Sequence, residues 1–200
     1  NTVGHIQLVD RHVAVKHLKH SHPYTSIIEQ LGLHELRVFP TGQAWHKPRA
    51  LTPADHRLEM ARLAFAPVGR AVVDARELRR QGPTYTIDTL RELQAEHPGA
   101  ELFLVIGADQ AQALDSWRES AGIARLATIS IAERATPQDP AGALDASRVP
   151  GGRWERISLP PMPFSATDIR QRVAAGAGID HLVPEAVASY IDQHHLYQPS

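Results

Sequence analysis

The stretch Leu102-Phe-Leu-Val-Ile-Gly-Ala-Asp109 restricts the fold of this chain more than any other. Five apolar residues, Leu102 to Ile106, stand in a row before Gly107 breaks the run. Such a run suits a strand covered on both faces, as in a parallel sheet with helices on each side. A buried helix can also hold five apolar residues, but Phe103, Val105 and Ile106 favour extended backbone and Gly107 marks a stop. Ligands of open α/β sheets gather at the carboxyl ends of strands. There Gly107 would let the backbone approach a ligand, and Asp109 would offer an acceptor for sugar hydroxyls. Asp109 can equally serve as the cap of a helix that starts near Gln110.

Around this strand the chain alternates strand and helix. Ile6-Gln-Leu-Val9 reads as a first strand, followed by a polar, histidine-rich connection from Asp10 to His22. Ser26 to Gly32 reads as the end of a helix stopped by Gly32, and Leu36 to Phe39 as a second strand, which makes a βαβ unit. Trp45-His-Lys-Pro48 falls in the next loop. Thr52 is a good N-cap for a helix running to about Phe65, with Pro53 in its first turn, Asp55 at the capping-box position, and Leu58, Leu63 and Ala64 on its apolar face. Ala71-Val-Val73 is a third strand. After the loop Arg79 to Thr86, Thr86 caps a helix from Ile87 to His97. Leu126 to Ile131 and Trp154 to Leu159 read as two more strands, separated by a Pro-, Gly- and Asp-rich loop from Pro137 to Gly152. Ser165 opens a helix through Ala174 that Gly176 stops, and Pro184 to His194 is the last helix. The pattern is that of a doubly wound, Rossmann-like parallel sheet with helices on both faces and a small helical part at about residues 165–200.

Two hundred residues fit one domain, taken as residues 1–200. A net charge of −1 provides no basic field, so nucleic acid is not the expected partner, while a small phosphorylated ligand needs only local positive charge. The chain has no cysteine, hence neither a disulfide framework nor a thiolate site. No apolar run approaches membrane length and the first residues lack a signal-peptide pattern, so a cytoplasmic location is the expectation.

The candidate chemistry is cationic and hydroxylic. In Phe164-Ser-Ala-Thr-Asp-Ile-Arg170, Ser165 and Asp168 are explained by helix capping, but Arg170, one turn into the helix, is not. Free N–H groups at a helix start, the hydroxyls of Ser165 and Thr167 and a guanidinium together make an anion site. His17 and His20 share a helix face and can donate to phosphate, or lie together by chance in a chain with twelve histidines. His46 and Lys47 form a local cationic spot. Trp117 reads either as core packing or as an aromatic that stacks on a planar ring. There is no Walker A pattern, dinucleotide glycine fingerprint or nucleophile elbow. The residues alone lead to a phosphate-binding α/β domain.

From Gly32 to Tyr197 the chain closely resembles the bacterial nicotinate-nucleotide adenylyltransferases. The matching blocks are His46-Lys47, His56-Arg57-Leu58, Gly82-Pro-Thr-Tyr-Thr-Ile-Asp-Thr-Leu90, Ile106-Gly-Ala-Asp109 with Trp117, Ser165-Ala-Thr-Asp-Ile-Arg170, and Val183-Pro184 with Tyr190-Ile191 and Leu196-Tyr197. They come in family order and at family spacing. The resemblance implies a step of NAD biosynthesis: ATP and nicotinate mononucleotide give nicotinate adenine dinucleotide and pyrophosphate, with Mg²⁺ on the departing pyrophosphate. It implies that Ser165, Thr167 and Arg170 hold the ATP end and that His46 and Lys47 face the outer phosphates. Trp117 would stack on the pyridine ring, Tyr85 and Thr86 would meet the nicotinate carboxylate, and Gly107 and Asp109 would lie at the mononucleotide, with Asp109 on its ribose. The family's two N-terminal histidines fall on His17 and His20, which with Arg170 are the expected catalytic groups. Neither nucleic acid nor membrane is implied, and the oligomeric state is left open.

The N-terminal segment departs from the family. Asp10 and Arg11 stand where it has two glycines, His12-Val-Ala-Val15 where it has Thr/Ser-Phe-Asp-Pro, and Lys19 where it has a glycine before the second histidine. Those glycines admit phosphates to the backbone, whereas Asp10 brings negative charge toward them. Three readings stand open: a nucleotide-binding relative weakened in catalysis, one using Arg11 and Lys19 as substitute phosphate ligands, or a local frame shift over about Asp10 to Ser26. The abrupt change in match favours the last. Thr2-Val-Gly-His5 fits a short form of the histidine motif but stands too early, with no strand before it. An acceptor of a different kind, such as pantetheine phosphate, would also suit a phosphate-binding domain, and His5, His12, His17, His20 and His22 could form a metal-binding arm.

Overall fold

The computed structural model describes residues 2–6, 23–40, 52–134, 152–159 and 166–198. Six strands form one sheet: β1 (Thr2–Ile6), β2 (Glu35–Val38), β3 (Ala71–Val73), β4 (Glu101–Gly107), β5 (Ala127–Arg134) and β6 (Trp154–Leu159). Their order is β3-β2-β1-β4-β5-β6 and every neighbouring pair is parallel. This is the doubly wound order, whose direction of winding reverses between β1 and β4. The helices are α1 (Pro23–Gln30), α2 (Ala54–Phe65), α3 (Arg76–Arg79), α4 (Thr86–Glu96), α5 (Ala108–Gln112), α6 (Ser120–Leu126), α7 (Ala166–Ala174) and α8 (Glu185–Gln193).

The apolar run behaves as its composition requires. Along β4 the side chains alternate between two cores. Leu102, Leu104 and Ile106 join Ile87, Leu90 and Leu93 of α4 with Ile123 of α6. Phe103 and Val105 face the other cluster, built from Ile27 and Ile28 of α1, Met60 and Phe65 of α2, Ile169 of α7 and Val187 and Ile191 of α8. Helices therefore cover both faces of the sheet.

The first strand runs over Thr2–Ile6 and so starts four residues before the expected Ile6; residues 7–9 of that expectation lie outside the described part. It is paired on both sides, with Val3 opposite both Glu35 and Leu102. Thr2-Val-Gly-His5 is thus strand, not a loop following one. Two hydroxyl caps also prove different. Helix α2 begins at Ala54 with Pro53 at the cap position and no side-chain cap, because Thr52 has other partners: its hydroxyl donates to the Tyr197 hydroxyl at 3.1 Å and its carbonyl accepts from Arg57 Nε at 2.9 Å. Its fully covered residues are Met60, Ala61, Ala64 and Phe65, one turn later than the leucine at 58 suggests. Thr86 is the first residue of α4, with Tyr85 at the cap position, and it is buried. Helices α3 and α6 are short and carry no marked sequence signal. The Pro137–Gly152 loop lies outside the described residues except for Gly152.

Gly32 and Gly176 do end their helices as expected. Gly32 has φ +58° and Gly176 φ +69°. Around each, the paired closing bonds of a Schellman turn form: Leu33 N to Ile28 O at 2.9 Å with Gly32 N to Glu29 O at 3.2 Å, and Ala177 N to Arg172 O at 2.8 Å with Gly176 N to Val173 O at 2.9 Å. A Cβ on Gly32 would meet no atom within 4 Å, so only backbone strain opposes it. Gly32→Ala should cost about 1 kcal/mol from that left-handed conformation alone, whereas Leu104→Ala should cost about 2–5 kcal/mol by opening a cavity under β4. Urea denaturation with unchanged m values checks both; a larger loss at Gly32 than at Leu104 would contradict this packing.

Candidate active site

In sheets of this order ligands bind where the winding reverses, which here is at the carboxyl ends of β1 and β4. β4 ends at Gly107 and α5 starts at the next residue, with Gly107 at the cap position and no side-chain cap. Asp109 is therefore inside the helix rather than its cap. Gly107 has φ −74° and ψ 163°, a conformation open to any residue, so the turn itself does not call for glycine.

On one face of the sheet, Tyr85, Ala108 and Trp117 pack at the rim of the cluster that holds Leu104 and Ile106. Trp117 is half-buried: it does belong to the core's edge, and part of its surface remains accessible. Tyr85 enters α4 in extended conformation and its carbonyl accepts from Asp88 N at 3.1 Å and Thr89 N at 3.4 Å. On the other face, α7 buries Ile169 and places Thr167 and Arg170 one turn apart, with Arg170 Nη2 3.4 Å from Thr167 Oγ1. The structure thus groups Tyr85, Thr86 and Trp117 on one side and Thr167 with Arg170 on the other. His17, His20, His46, Lys47 and Ser165 lie outside the described residues, as does the side chain of Asp109. Of the proposed histidine arm, only His5 falls in a described element, β1.

A polar clamp that the sequence did not announce holds the loop before α4. Glu77 of α3 is fully buried and its Oε1 accepts from the Thr89 hydroxyl at 2.8 Å. Arg80 Nη1 donates to the same hydroxyl at 2.7 Å, and its Nη2 lies 2.6 Å from Glu92 Oε2. Next to it, Arg76 binds Glu96 through both Nη atoms at 2.9 and 2.8 Å and meets Asp74 at 2.7 Å, while Arg37 of β2 reaches Asp74 at 3.1 Å. These bonds connect the end of β3, α3 and α4, and so fix where Gly82 to Thr86 begins and ends. Burial raises the Asp74 carboxyl, but hydrogen bonds and charge from Arg76 and Arg37 outweigh it and hold the group below its ordinary range. For Glu77 burial wins over Thr89 and Arg80, and its carboxyl is pushed up.

A cytidylyltransferase-like family model matches residues 15–172. A probable nicotinate-nucleotide adenylyltransferase of Albidiferax ferrireducens is 50% identical over 182 residues, covering 91% of this chain and 92% of the relative. The chain belongs to this adenylyltransferase family. A second probable member, from Methylibium petroleiphilum, is 40% identical over 189 residues, covering 92% and 87%. The fold agrees with the family: a nicotinic acid mononucleotide adenylyltransferase of Plasmodium falciparum, solved in complex with NaAD, superimposes with a TM-score of 0.70 at 16% identity over 98% of this chain and 97% of that one. The family match starts at Val15, beyond most of the residues that depart from the glycine motif.

The clamp has a pH signature. A carboxyl whose folded-state pKa is raised contributes fully below its unfolded value, and that contribution is lost as pH rises through the folded value. Glu77→Gln stays neutral and lacks this slope. Its stability relative to the native chain should therefore rise as pH is raised above the ordinary carboxylate range, read by urea denaturation. The opposite slope would mean that Arg80 keeps Glu77 ionised.

Proposed function

We infer that this chain transfers the adenylyl group of ATP to nicotinate mononucleotide, releasing pyrophosphate and forming nicotinate adenine dinucleotide, a step in NAD biosynthesis. The observation that carries the reading is the 50% identity, over 91% of the chain, to a relative named for that reaction. A phosphate oxygen of the mononucleotide attacks the α-phosphorus of ATP in line, a new P–O bond forms, and the bond to the departing pyrophosphate breaks. No covalent enzyme intermediate is needed, so the protein's work is positioning and charge stabilisation.

The positions of Tyr85, Trp117, Thr167 and Arg170 are compatible with the roles given to them here; the other roles follow the family resemblance alone. Trp117 stacks on the pyridine ring from the edge of the core. Tyr85 and Thr86, at the start of α4, meet the nicotinate carboxylate, and Gly107 with Asp109 lies at the ribose. Across the strand ends, Thr167 and Arg170, with Ser165, hold ATP, and Arg170 faces charge developing on phosphate. His46 and Lys47 serve the outer phosphates, and His17 and His20 the reacting ones. A divalent cation accompanies the nucleotide in such transfers, and Mg²⁺ is the fitting one: it binds mainly through substrate phosphates and water and needs no protein cage. When bound, it neutralises charge on the leaving pyrophosphate. Residues 1–200 act as a single domain with a helical C-terminal part. No helix among the described residues is long and apolar enough to cross a membrane, and a cytoplasmic site is the natural setting for these substrates.

A second reading has its own observation: Asp10, Arg11 and Lys19 replace glycines of the family's first loop. It takes the chain as a nucleotide-binding relative weakened in catalysis. One assay separates the two. Supplied with ATP, Mg²⁺ and nicotinate mononucleotide, the chain should yield pyrophosphate and the dinucleotide. Trp117→Ala should then raise KM for the mononucleotide about tenfold through lost stacking, and Arg170→Ala should lower kcat about 100-fold. Binding of the mononucleotide without product, by folded protein, would favour the weakened relative.

A further inference from the structure

The residue after Trp117 has no role in the reading above. The Arg118 guanidinium lies over the Tyr85 ring, with Cζ 4.5 Å from the ring centroid. The backbone that presents it is unusual. Ser120 N donates to Trp117 O at 3.1 Å, closing a four-residue turn, and Glu119 within it holds φ 53° and ψ 44°. That left-handed region is rarely occupied by a residue other than glycine, and such backbone persists where its surroundings hold it. Here Arg91 of α4 grips both oxygens of the Glu119 carboxylate, with Nη1 3.2 Å from Oε1 and the Nη2–Oε2 pair closer still. This hydrogen bonding also holds the Glu119 carboxyl below its ordinary range. The turn is therefore strapped to α4 twice, once by Arg91 with Glu119 and once by Arg118 on Tyr85. With Glu119 taken by Arg91, no ion pair of Arg118 with a carboxylate forms among the described residues.

We propose that Arg118 determines the preference for an acid over an amide on the pyridine ring, by setting a full positive charge beside Tyr85 where the ring's substituent docks. The inference rests on the assignment of Tyr85, Thr86 and Trp117 to the pyridine end. Backbone N–H groups and a threonine hydroxyl donate to an amide carbonyl too, though more strongly to a carboxylate, so they favour the acid without excluding the amide. A guanidinium separates the two, because only the acid is negative at neutral pH and a hydrogen bond between two charged groups is about twice as strong as a neutral one. Arginine suits the position better than lysine, since its planar group stacks on the tyrosine while its edge still donates.

The test compares the native chain with Arg118→Gln and Arg118→Lys. Calorimetric dissociation constants are measured for nicotinate mononucleotide and for its amide counterpart, and kcat/KM for each with ATP and Mg²⁺. Arg118→Gln should weaken the acid about tenfold and leave the amide within about twofold, while Arg118→Lys keeps part of the preference. The native preference for the acid should also shrink as salt rises from about 0.05 to about 0.5 M, because the site is open to solvent. Equal weakening of both ligands would overturn the proposal, since it would mean that Arg118 only steadies Tyr85. An unchanged ratio would overturn it too. A native chain that binds neither mononucleotide would sink the functional reading itself, a result distinct from either.

Discussion

Covering β4 on both faces is the constraint from which the rest of the architecture follows. A strand with leucine and isoleucine on one side and phenylalanine and valine on the other must have helices above and below it. Parallel pairing with β1 and β5 then forces long connections that run over those faces. All strands point the same way, so their carboxyl ends share one end of the sheet, and the order of winding reverses there between β1 and β4. Tyr85 with Trp117 and Thr167 with Arg170 come from opposite faces because α4 and the turn after α5 cover one core while α7 covers the other.

The side that carries Tyr85 and Trp117 is held by polar bonds of two kinds. In the clamp, Glu77 and Thr89 are buried and Arg80 half-buried, and since an unmade buried hydrogen bond costs about 1–3 kcal/mol, the Glu77–Thr89 bond fixes geometry strongly. The Arg91–Glu119 pair is solvent-exposed and adds little stability. Its effect is directional: it holds the left-handed turn that carries Trp117 and Arg118. Strain at such a turn, borne by a charged residue rather than a glycine, accords with a place where side-chain direction matters more than backbone ease.

Local signals are legible where one residue type has one physical use. The glycines at 32 and 176 stop their helices because left-handed backbone favours glycine, and β4 and β6 lie within a residue or two of their apolar patterns. Hydroxyl caps are not legible in the same way. Thr52 looks like a cap in sequence, but Tyr197, 145 residues later, takes its hydroxyl. Thr86 is buried and stands inside α4, with Tyr85 at the cap position. The start of the first strand is hidden in the sequence because Thr2-Val-Gly-His-Ile6 has little apolar character of its own; pairing on both sides makes it a strand.

What the sequence determined alone is what neighbours along the chain can enforce: period, helix ends, and the blocks by which this family is known. It contained Trp117, Tyr85, Thr167 and Arg170 as candidates, but not their sides. The tertiary structure decided which residues face each other across long separations, because those partners are set by how helices settle on the sheet. Glu77 with Thr89, Arg91 with Glu119, and Arg118 on Tyr85 are all of that kind: each pairs side chains from different elements, and nothing in the spacing of either announces the other.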